Sequence, residues 1–242
     1  MKPMKITAYM RTGKIATTDL YLPLDAMLEY VWIQQNHPEL LEVSRSSIPP
    51  DELVVSDLPL EERGEGDEWY WACSFACGEP KREEIIYWHK RFDFDLGTEY
   101  IDFGDRRGKV DVKSGHYKNY RMPLVTYLVP KLEWYAVGDL KEVALLVNEI
   151  THIGKKRSQG LGRVARWTIE EWPEDLSFLR AIPDPEGDME MGIRPPYWLA
   201  WQWKRARLPD DGRLACNYRI EAPPQPTVEY DYDDEEQWED DL

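Results

Sequence analysis

The chain has 242 residues and a formal net charge of −16, with 42% hydrophobic and 31% charged residues, a composition typical of one large or two small globular domains. Apolar stretches such as VALLV are too short to cross a bilayer, and the N-terminus is too polar for a signal peptide. Three cysteines, an odd number, argue against a disulfide framework, so we expect a cytoplasmic protein without membrane contact.

The first half of the chain predicts a strand, a helix and two further strands. KITAYM alternates between apolar and polar residues as a strand does. After Pro23, apolar residues follow at helical spacing, which predicts a helix. EWYWACSFA places Trp69, Trp71, Cys73 and Phe75 on one side, which predicts a second strand, and REEIIYWHKRFDF favours a third strand over a short helix.

The second half predicts two strands, a helix and a final strand. LVTYLV and LEWYAV each predict a strand. DLKEVALLVNEI predicts the clearest helix, because apolar residues line one face and Asp139 is a suitable N-cap. RVARWTIEEW alternates and predicts the last strand, which makes the order β-α-β-β-α-β.

The C-terminal region differs in composition from the rest. LAWQWKRARLP predicts a short basic helix. Residues 221–242 contain ten acids and no Lys or Arg, and without them the net charge changes from −16 to about −6. This composition predicts an acidic disordered tail. The tail serves solubility, covers a basic groove until a polyanion arrives, or docks on a neighbour.

A long basic segment, DFGDRRGKVDVKSGHYKNYRMP, stands before the second helix. It has three glycines, six basic residues and too few apolar residues to form a core. The segment therefore predicts an exposed basic hairpin or loop. Its cations suit phosphate groups, and His116, Tyr117 and Tyr120 suit stacking on splayed bases. The alternative is a charged loop that only faces solvent.

A glycine-rich basic loop follows the second helix, in HIGKKRSQGLGRVARW. GLGRVA matches a dinucleotide-binding pattern, but that pattern needs a strand before it and a helix after it. Here a helix enters and a strand leaves, so the pyrophosphate-binding geometry is absent. The loop also lacks the residue order of a phosphate-binding P-loop.

The same loop is suited to the backbone of a polyanion. Its glycines permit positive φ angles and leave backbone N–H groups uncovered by side chains. Lys155, Lys156 and Arg157 add charge, and Ser158 and Gln159 add neutral donors. Such contacts position a nucleic acid without reading its sequence. The alternative is a tight turn whose cations face water.

These motifs together resemble a known family. IGKKRSQGLGRV between the last helix and last strand resembles the glycine-rich loop of the RAMP superfamily of CRISPR-associated proteins. KITAYM…IATTDLYLPLDAMLEYVW, HKRFDF…GKVDVKSGHYKNYRMP and RAIP…GIRPPYW resemble the Cas-five-type subunit of type IV effector complexes. The resemblance spans residues 4–200 and implies an α+β, ferredoxin-like (RRM-like) domain.

The resemblance also implies domain boundaries and partners. It implies a ferredoxin-like domain over residues 1–220, with a thumb insertion at about 95–125, before the tail at 221–242. It further implies that the subunit caps the five-prime handle of the guide RNA and contacts the backbone (Cas-seven-type) and large subunits. Target DNA is a further possible partner.

The predicted RNA-binding residues belong to HKRF, the thumb and the glycine loop. They are Lys90, Arg91, Arg106, Arg107, Lys109, Lys113, His116, Tyr117, Lys118, Arg121, Gly154, Lys155, Lys156, Arg157, Ser158, Gln159, Gly160, Gly162 and Arg163.

Catalytic, cofactor and metal roles are not expected. His116, Tyr117 and Lys118 form a tempting nuclease cluster, but neighbours on an extended segment point in alternating directions. Cys73 and Cys77 are spaced widely and have too few partners for a zinc site. We therefore expect a non-catalytic RNA-binding subunit. The alternatives are a metal-independent guide-RNA-processing endonuclease of the same fold, and a protein-interaction module that binds no RNA.

Overall fold

The computed structural model describes residues 1–42, 57–100 and 110–217, which form antiparallel sheets and four α-helices. In chain order the elements are β1 (Lys2–Met10), β2 (Lys14–Ala16), α1 (Leu24–Asn36), α2 (Glu39–Glu42), β3 (Glu62–Arg63), β4 (Tyr70–Trp71), β5 (Arg82–Lys90), α3 (Phe94–Tyr100), β6 (Tyr120–Leu128), β7 (Lys131–Gly138), α4 (Leu140–Glu149), β8 (Val164–Glu171), β9 (Ile182–Pro183), β10 (Met189–Gly192) and β11 (Trp203–Arg207).

The first strand lies at the centre of the main sheet, whose order is β7-β1-β8. Both neighbours are antiparallel to β1, and Ile6 pairs with Trp134 on one side and Ile169 on the other. The alternation in KITAYM places Met4, Ile6 and Ala8 on the buried face, as the sequence predicts. These side chains form the core together with α1 and α4.

The two long helices also lie where the sequence places them. Asp139 is the N-cap of α4, and its carboxylate accepts hydrogen bonds from the backbone N–H groups of Lys141 and Glu142. The buried face of α4 contains Val143, Leu146 and Val147. Helix α1 begins directly after Pro23, as expected from the fixed φ of proline.

A second sheet, in the order β2-β6-β5, contains the hairpin formed by β5 and β6. The two strands pair over nine residues, from Arg82 opposite Leu128 to Lys90 opposite Tyr120. The short strand β2 joins the base of this hairpin, where Ala16 pairs with Thr126. The hairpin confirms the strand predicted for LVTYLV and, over Arg82–Lys90, the strand predicted for REEIIYWHKRFDF, whose last residues instead lead into α3. Residues 91–119 connect the two strands at its far end.

Two predictions from the sequence are wrong. EWYWACSFA is not one regular strand: only Tyr70–Trp71 pairs with β3, and the chain then makes single bridges from Cys73 and Cys77 to β7. The segment changes partners along its length, because the backbone N–H of Phe75 donates to Leu179 instead.

LAWQWKRARLP forms a short 3₁₀ turn and strand β11, and not a helix. Strand β11 lies between β10 and β9. In β11 Ala206 is buried while Trp203 and Arg205 are exposed, so burial alternates every second residue, as it does in a strand. The run of basic residues hides that alternation, because the long charged side chains occupy both faces.

A fully buried arginine joins three parts of the chain. The Arg180 guanidinium donates to the backbone carbonyls of Trp71, Cys73 and Ile193, and it lies 3.4 Å from the Asp25 carboxylate. The Tyr197 hydroxyl completes the group by donating to Asp25 at 2.9 Å. Burial raises the pKa of the Asp25 carboxyl, and the attraction of Arg180 opposes that shift.

We predict that Arg180→Leu lowers the free energy of unfolding by about 3–5 kcal/mol, because it removes the positive charge beside the buried Asp25 carboxylate and a donor to three buried carbonyls. Urea denaturation followed by tryptophan fluorescence measures this change. Arg205→Leu is the matched control, since the exposed Arg205 makes one hydrogen bond, to the Pro185 carbonyl. Equal losses in the two variants would contradict a structural role for the Arg180 network.

Candidate nucleic-acid interface

The glycine loop, residues 154–162, adopts the left-handed backbone conformations that its composition predicts. Gly154, Gly160 and Gly162 have φ angles of 84°, 77° and 69°, and Lys156 has a φ of 59°. Residues Arg157–Gln159 form a single 3₁₀ turn between two of these positions. The loop is therefore a defined turn that presents consecutive cations, because glycines absorb most of the left-handed backbone angles.

The loop is fastened to β2 by backbone hydrogen bonds. The N–H of Lys155 donates to the Ala16 carbonyl at 2.7 Å, and the N–H of Gly162 donates to the Lys14 carbonyl at 2.8 Å. The N–H groups of Gln159 and Gly160 donate within the loop itself. These four amides therefore have partners inside the protein and are not offered to a ligand.

Two of the glycines are also required by close approach. A Cβ atom at Gly154 would lie 2.5 Å from the Ala16 carbonyl oxygen, and one at Gly162 would overlap the Ile153 carbonyl. At Gly160, by contrast, no atom lies within 4 Å of the Cβ position. The first and last glycines therefore let the loop pack against its neighbours, and Gly160 serves only the turn.

The loop and the hairpin meet through a cation–π contact. The Lys156 Nζ lies 3.1 Å from the centroid of the Trp88 ring on β5. Trp88 in turn contacts Tyr120 edge to face, with ring centroids 5.1 Å apart. Lys90 Nζ lies 5.9 Å from the centroid of the Tyr120 ring. Glycine loop and hairpin thus meet on one face of the hairpin, where Lys156, Trp88, Tyr120 and Lys90 form a basic and aromatic surface.

Cations also flank an aromatic cluster beyond the hairpin strands. Phe92 lies between Phe94 and Tyr117, with ring centroids 5.0 and 5.3 Å apart, and His116 contacts Tyr117 at 5.4 Å. Lys90 Nζ donates to the His116 carbonyl at 2.7 Å, which ties the cluster to the end of β5. Exposed cations in this region are Arg91, Lys113 and Lys118.

Arg121 is separated from the other predicted residues. It lies opposite His89 in the strand register, one residue away from the Lys90–Tyr120 pair, so its side chain is on the other face of the hairpin. There its guanidinium carbon lies 3.7 Å from the centroid of the Tyr87 ring. Arg121 therefore does not share a face with Lys156 and Trp88.

The remaining predicted residues have different placements. Ser158, Gln159 and Arg163 are exposed, and Arg163 follows the loop at a bridge with His152. Arg106, Arg107 and Lys109 lie outside the described residues, as does the tail at 221–242.

Trp88 is the residue that sequence reasoning missed. It shares a face of β5 with Ile86 and Lys90, and period-two alternation in IIYWHK is the signal that points to it. A second missed feature is Lys14, whose Nζ lies 2.8 Å from Glu84 at the base of the same sheet. The hydrogen bond from Lys14 lowers the pKa of the Glu84 carboxyl and keeps this acid paired beside the basic surface.

No group of three or more His, Cys, Asp or Glu side chains suited to a metal ion occurs in residues 1–42, 57–100 and 110–217. Burial raises the pKa of the Cys77 thiol to about 12, and Cys73 is likewise fully buried with a raised pKa. Both thiols are therefore kept in the neutral form. Within the same ranges no helix is long and apolar enough to span a membrane.

We predict that Gly162→Ala destabilises the protein more than Gly160→Ala. Both substitutions place an L residue at positive φ, which costs about 1–2 kcal/mol. Gly162→Ala adds the overlap with Ile153, a further cost of about 1–3 kcal/mol. Urea unfolding of both variants measures the difference. Equal losses would mean that the backbone around Ile153 relaxes freely.

A family model described as CRISPR type IV associated protein Csf3 matches residues 2–209 of the chain. A comparison with curated proteins found no match. The matched residues include β1, α1, both hairpin strands and the glycine loop. The match confirms the resemblance to Cas-five-type subunits that the motifs indicate. The chain belongs to the Csf3 family of CRISPR type IV associated proteins.

Proposed function

We propose that the chain is a non-catalytic subunit of a type IV effector complex that binds the guide RNA and caps its five-prime handle. The observation that carries the proposal is the contact between Lys156 and Trp88, which joins the glycine loop to the hairpin. Because of this contact, cations from two distant parts of the sequence line one surface. A single ribose-phosphate strand that follows this surface meets both.

The chemistry of the surface matches single-stranded RNA better than a small anion. Lys155, Lys156 and Arg157 supply charge for phosphates at the loop, and Lys113 and Lys118 supply it at the far end of the hairpin. Aromatic rings alternate with these cations, and base–aromatic stacking contributes about 1–3 kcal/mol per base. A surface with both components binds a strand along its length, whereas a small anion needs only one point of charge.

We also propose that the domain is ferredoxin-like and extends over residues 1–220. The order β7-β1-β8, extended beyond β7 by the bridges of Cys73 and Cys77, is the order expected when a β-α-β-β-α-β chain forms one antiparallel sheet. The thumb insertion, at about 95–125, would then lie at the far end of the hairpin and include the first part of β6. In this arrangement we expect contacts with the adjacent backbone subunit and the large subunit of the complex.

We predict that changing Lys155, Lys156 and Arg157 together to Ala weakens binding to the guide RNA and lowers its salt dependence. The slope of log K against log salt should fall by about 0.7 for each cation that contacts a phosphate. Fluorescence polarisation across a salt series measures the slope.

The matched control changes Lys204, Arg205 and Arg207 to Ala, which removes the same charge from β11. The proposal predicts that the slope of this control equals that of the wild type. An unchanged slope in the loop variant, or equal changes in both variants, would exclude a specific RNA surface at the loop. Failure of the wild type to retain RNA on purification would favour a protein-interaction module.

The alternative of a guide-processing endonuclease depends on His116. Cleavage through the 2′-OH needs a base, an acid and stabilisation of the phosphate charge. The His116 ring contacts Tyr117 in the aromatic cluster, and the Lys118 N–H donates to the Gly115 carbonyl in a local turn. This arrangement favours a packing role for His116.

We predict that His116→Ala leaves the level of mature guide RNA in cells unchanged, as measured by northern blotting. Lys113→Ala, in the same exposed region, is the control for a general loss of RNA affinity. Accumulation of uncut precursor in the His116 variant alone, with the protein still folded, would establish the endonuclease.

A further inference from the structure

A cavity of about 450 Å³ lies between α1 and the start of the glycine loop. Its residues come from one face of α1 and from the chain that leaves α4, and they include Met27, Tyr30, Gln34, His152 and Arg157. Of the residues that line it, Gly154 and Arg157 belong to the predicted RNA-binding set. The volume is within the range of small-molecule sites, about 300–1,000 Å³.

The cavity has an apolar floor and a polar rim. Val31, Ile150 and Ile153 form the floor and are at least nine-tenths buried. Tyr30 stands at the rim with 43% of its surface exposed, which leaves the aromatic ring accessible to a flat ligand. An apolar floor beside an accessible aromatic ring suits a planar, heterocyclic group.

Polar groups at the rim match the edge of a nucleobase. Gln34 offers both a donor and an acceptor, and the Glu149 carboxylate offers an acceptor for an amino group. The His152 Nδ1 lies 3.0 Å from the Thr151 hydroxyl, a contact that orients the imidazole ring. Bases of single-stranded RNA are recognised in this way, by stacking combined with hydrogen bonds along their edges.

The cavity is continuous with the loop that the proposed function assigns to the RNA backbone. Gly154 and Arg157 belong to the glycine loop and also line the cavity. A nucleotide whose phosphate contacts the loop cations is therefore within reach of the cavity through its own ribose. A ligand without a phosphate would make no use of the adjacent charge.

We infer that this cavity holds one base of the guide RNA, turned out of the strand and stacked on Tyr30. The inference rests on the proposed function and adds a base-binding site to its backbone-binding surface. Tyr30 is the stacking residue, Gln34 and His152 contact the base edge, and Arg157 holds the attached phosphate.

The experiment uses the full chain and a short synthetic single-stranded RNA with the handle sequence, labelled with fluorescein at its three-prime end. Affinity is measured by polarisation for the intact RNA and for a series with one abasic nucleotide at each position in turn. Tyr30→Ala is expected to bind the intact RNA about 5- to 150-fold more weakly than the wild type, the range expected for loss of one stacked base. Its salt slope stays unchanged, because no phosphate contact is lost.

The abasic series identifies the base concerned. At one position, removal of the base is expected to lower the RNA affinity of the wild type. The same removal should not lower the affinity of Tyr30→Ala further, since the two changes remove the same contact. Tyr30→Phe retains the ring and is expected to bind as the wild type does. Thermal melting of each variant verifies that it is folded.

Trp198→Ala is the control, because Trp198 is also an exposed aromatic residue, at 52%, and lines a neighbouring cavity that shares Tyr30. An equal loss in Trp198→Ala, or an abasic series without a coupled position, would overturn the base site. Neither result would contradict the proposed phosphate contacts of the glycine loop, which the salt slope tests separately. If the wild type binds no RNA at all, both the base site and the proposed function are wrong.

Discussion

The structure depends on the three residues of β2, which have a partner on each edge. On one edge Ala16 pairs with Thr126 at the base of the hairpin, and on the other its carbonyl accepts from Lys155 of the glycine loop. This short strand therefore fixes the distance between hairpin and loop. Gly154 allows the approach, since any side chain there would meet the Ala16 carbonyl. The contact of Lys156 with Trp88 follows from this placement.

The arrangement explains how an acidic protein presents a basic surface. Its net charge of −16 includes ten acids of the C-terminal segment, and Glu84, on the hairpin, is paired with Lys14. The three consecutive cations of the glycine loop, Lys155, Lys156 and Arg157, meet the hairpin through the contact between Lys156 and Trp88. A local field of this kind acts on a nearby strand more strongly than the distant net charge, because salt screens charges beyond about 10 Å. Affinity for RNA and an acidic composition are thus compatible.

The proposed surface and the inferred base site would have different roles in binding RNA. Phosphate contacts at Lys155 and Lys156 would position a strand without regard to its sequence. A cavity beside Tyr30 would add discrimination, because only a base with a matching edge satisfies Gln34 and His152. The buried Arg180 network anchors the first turn of α1 through Asp25. Tyr30 belongs to the same helix.

Local patterns in the sequence determined the main strands, the two long helices, the N-cap at Asp139 and the left-handed glycines, because each depends on residues that are near one another in the chain. They also carried the family resemblance that the match to residues 2–209 confirms. Only the tertiary structure decided which distant segments of the chain contact each other. Trp88 meets Lys156, Arg121 turns to the opposite face, the Cys73 segment divides its bridges among several neighbours, and β11 forms between two strands. Packing sets these pairings, and no spacing along the chain encodes them.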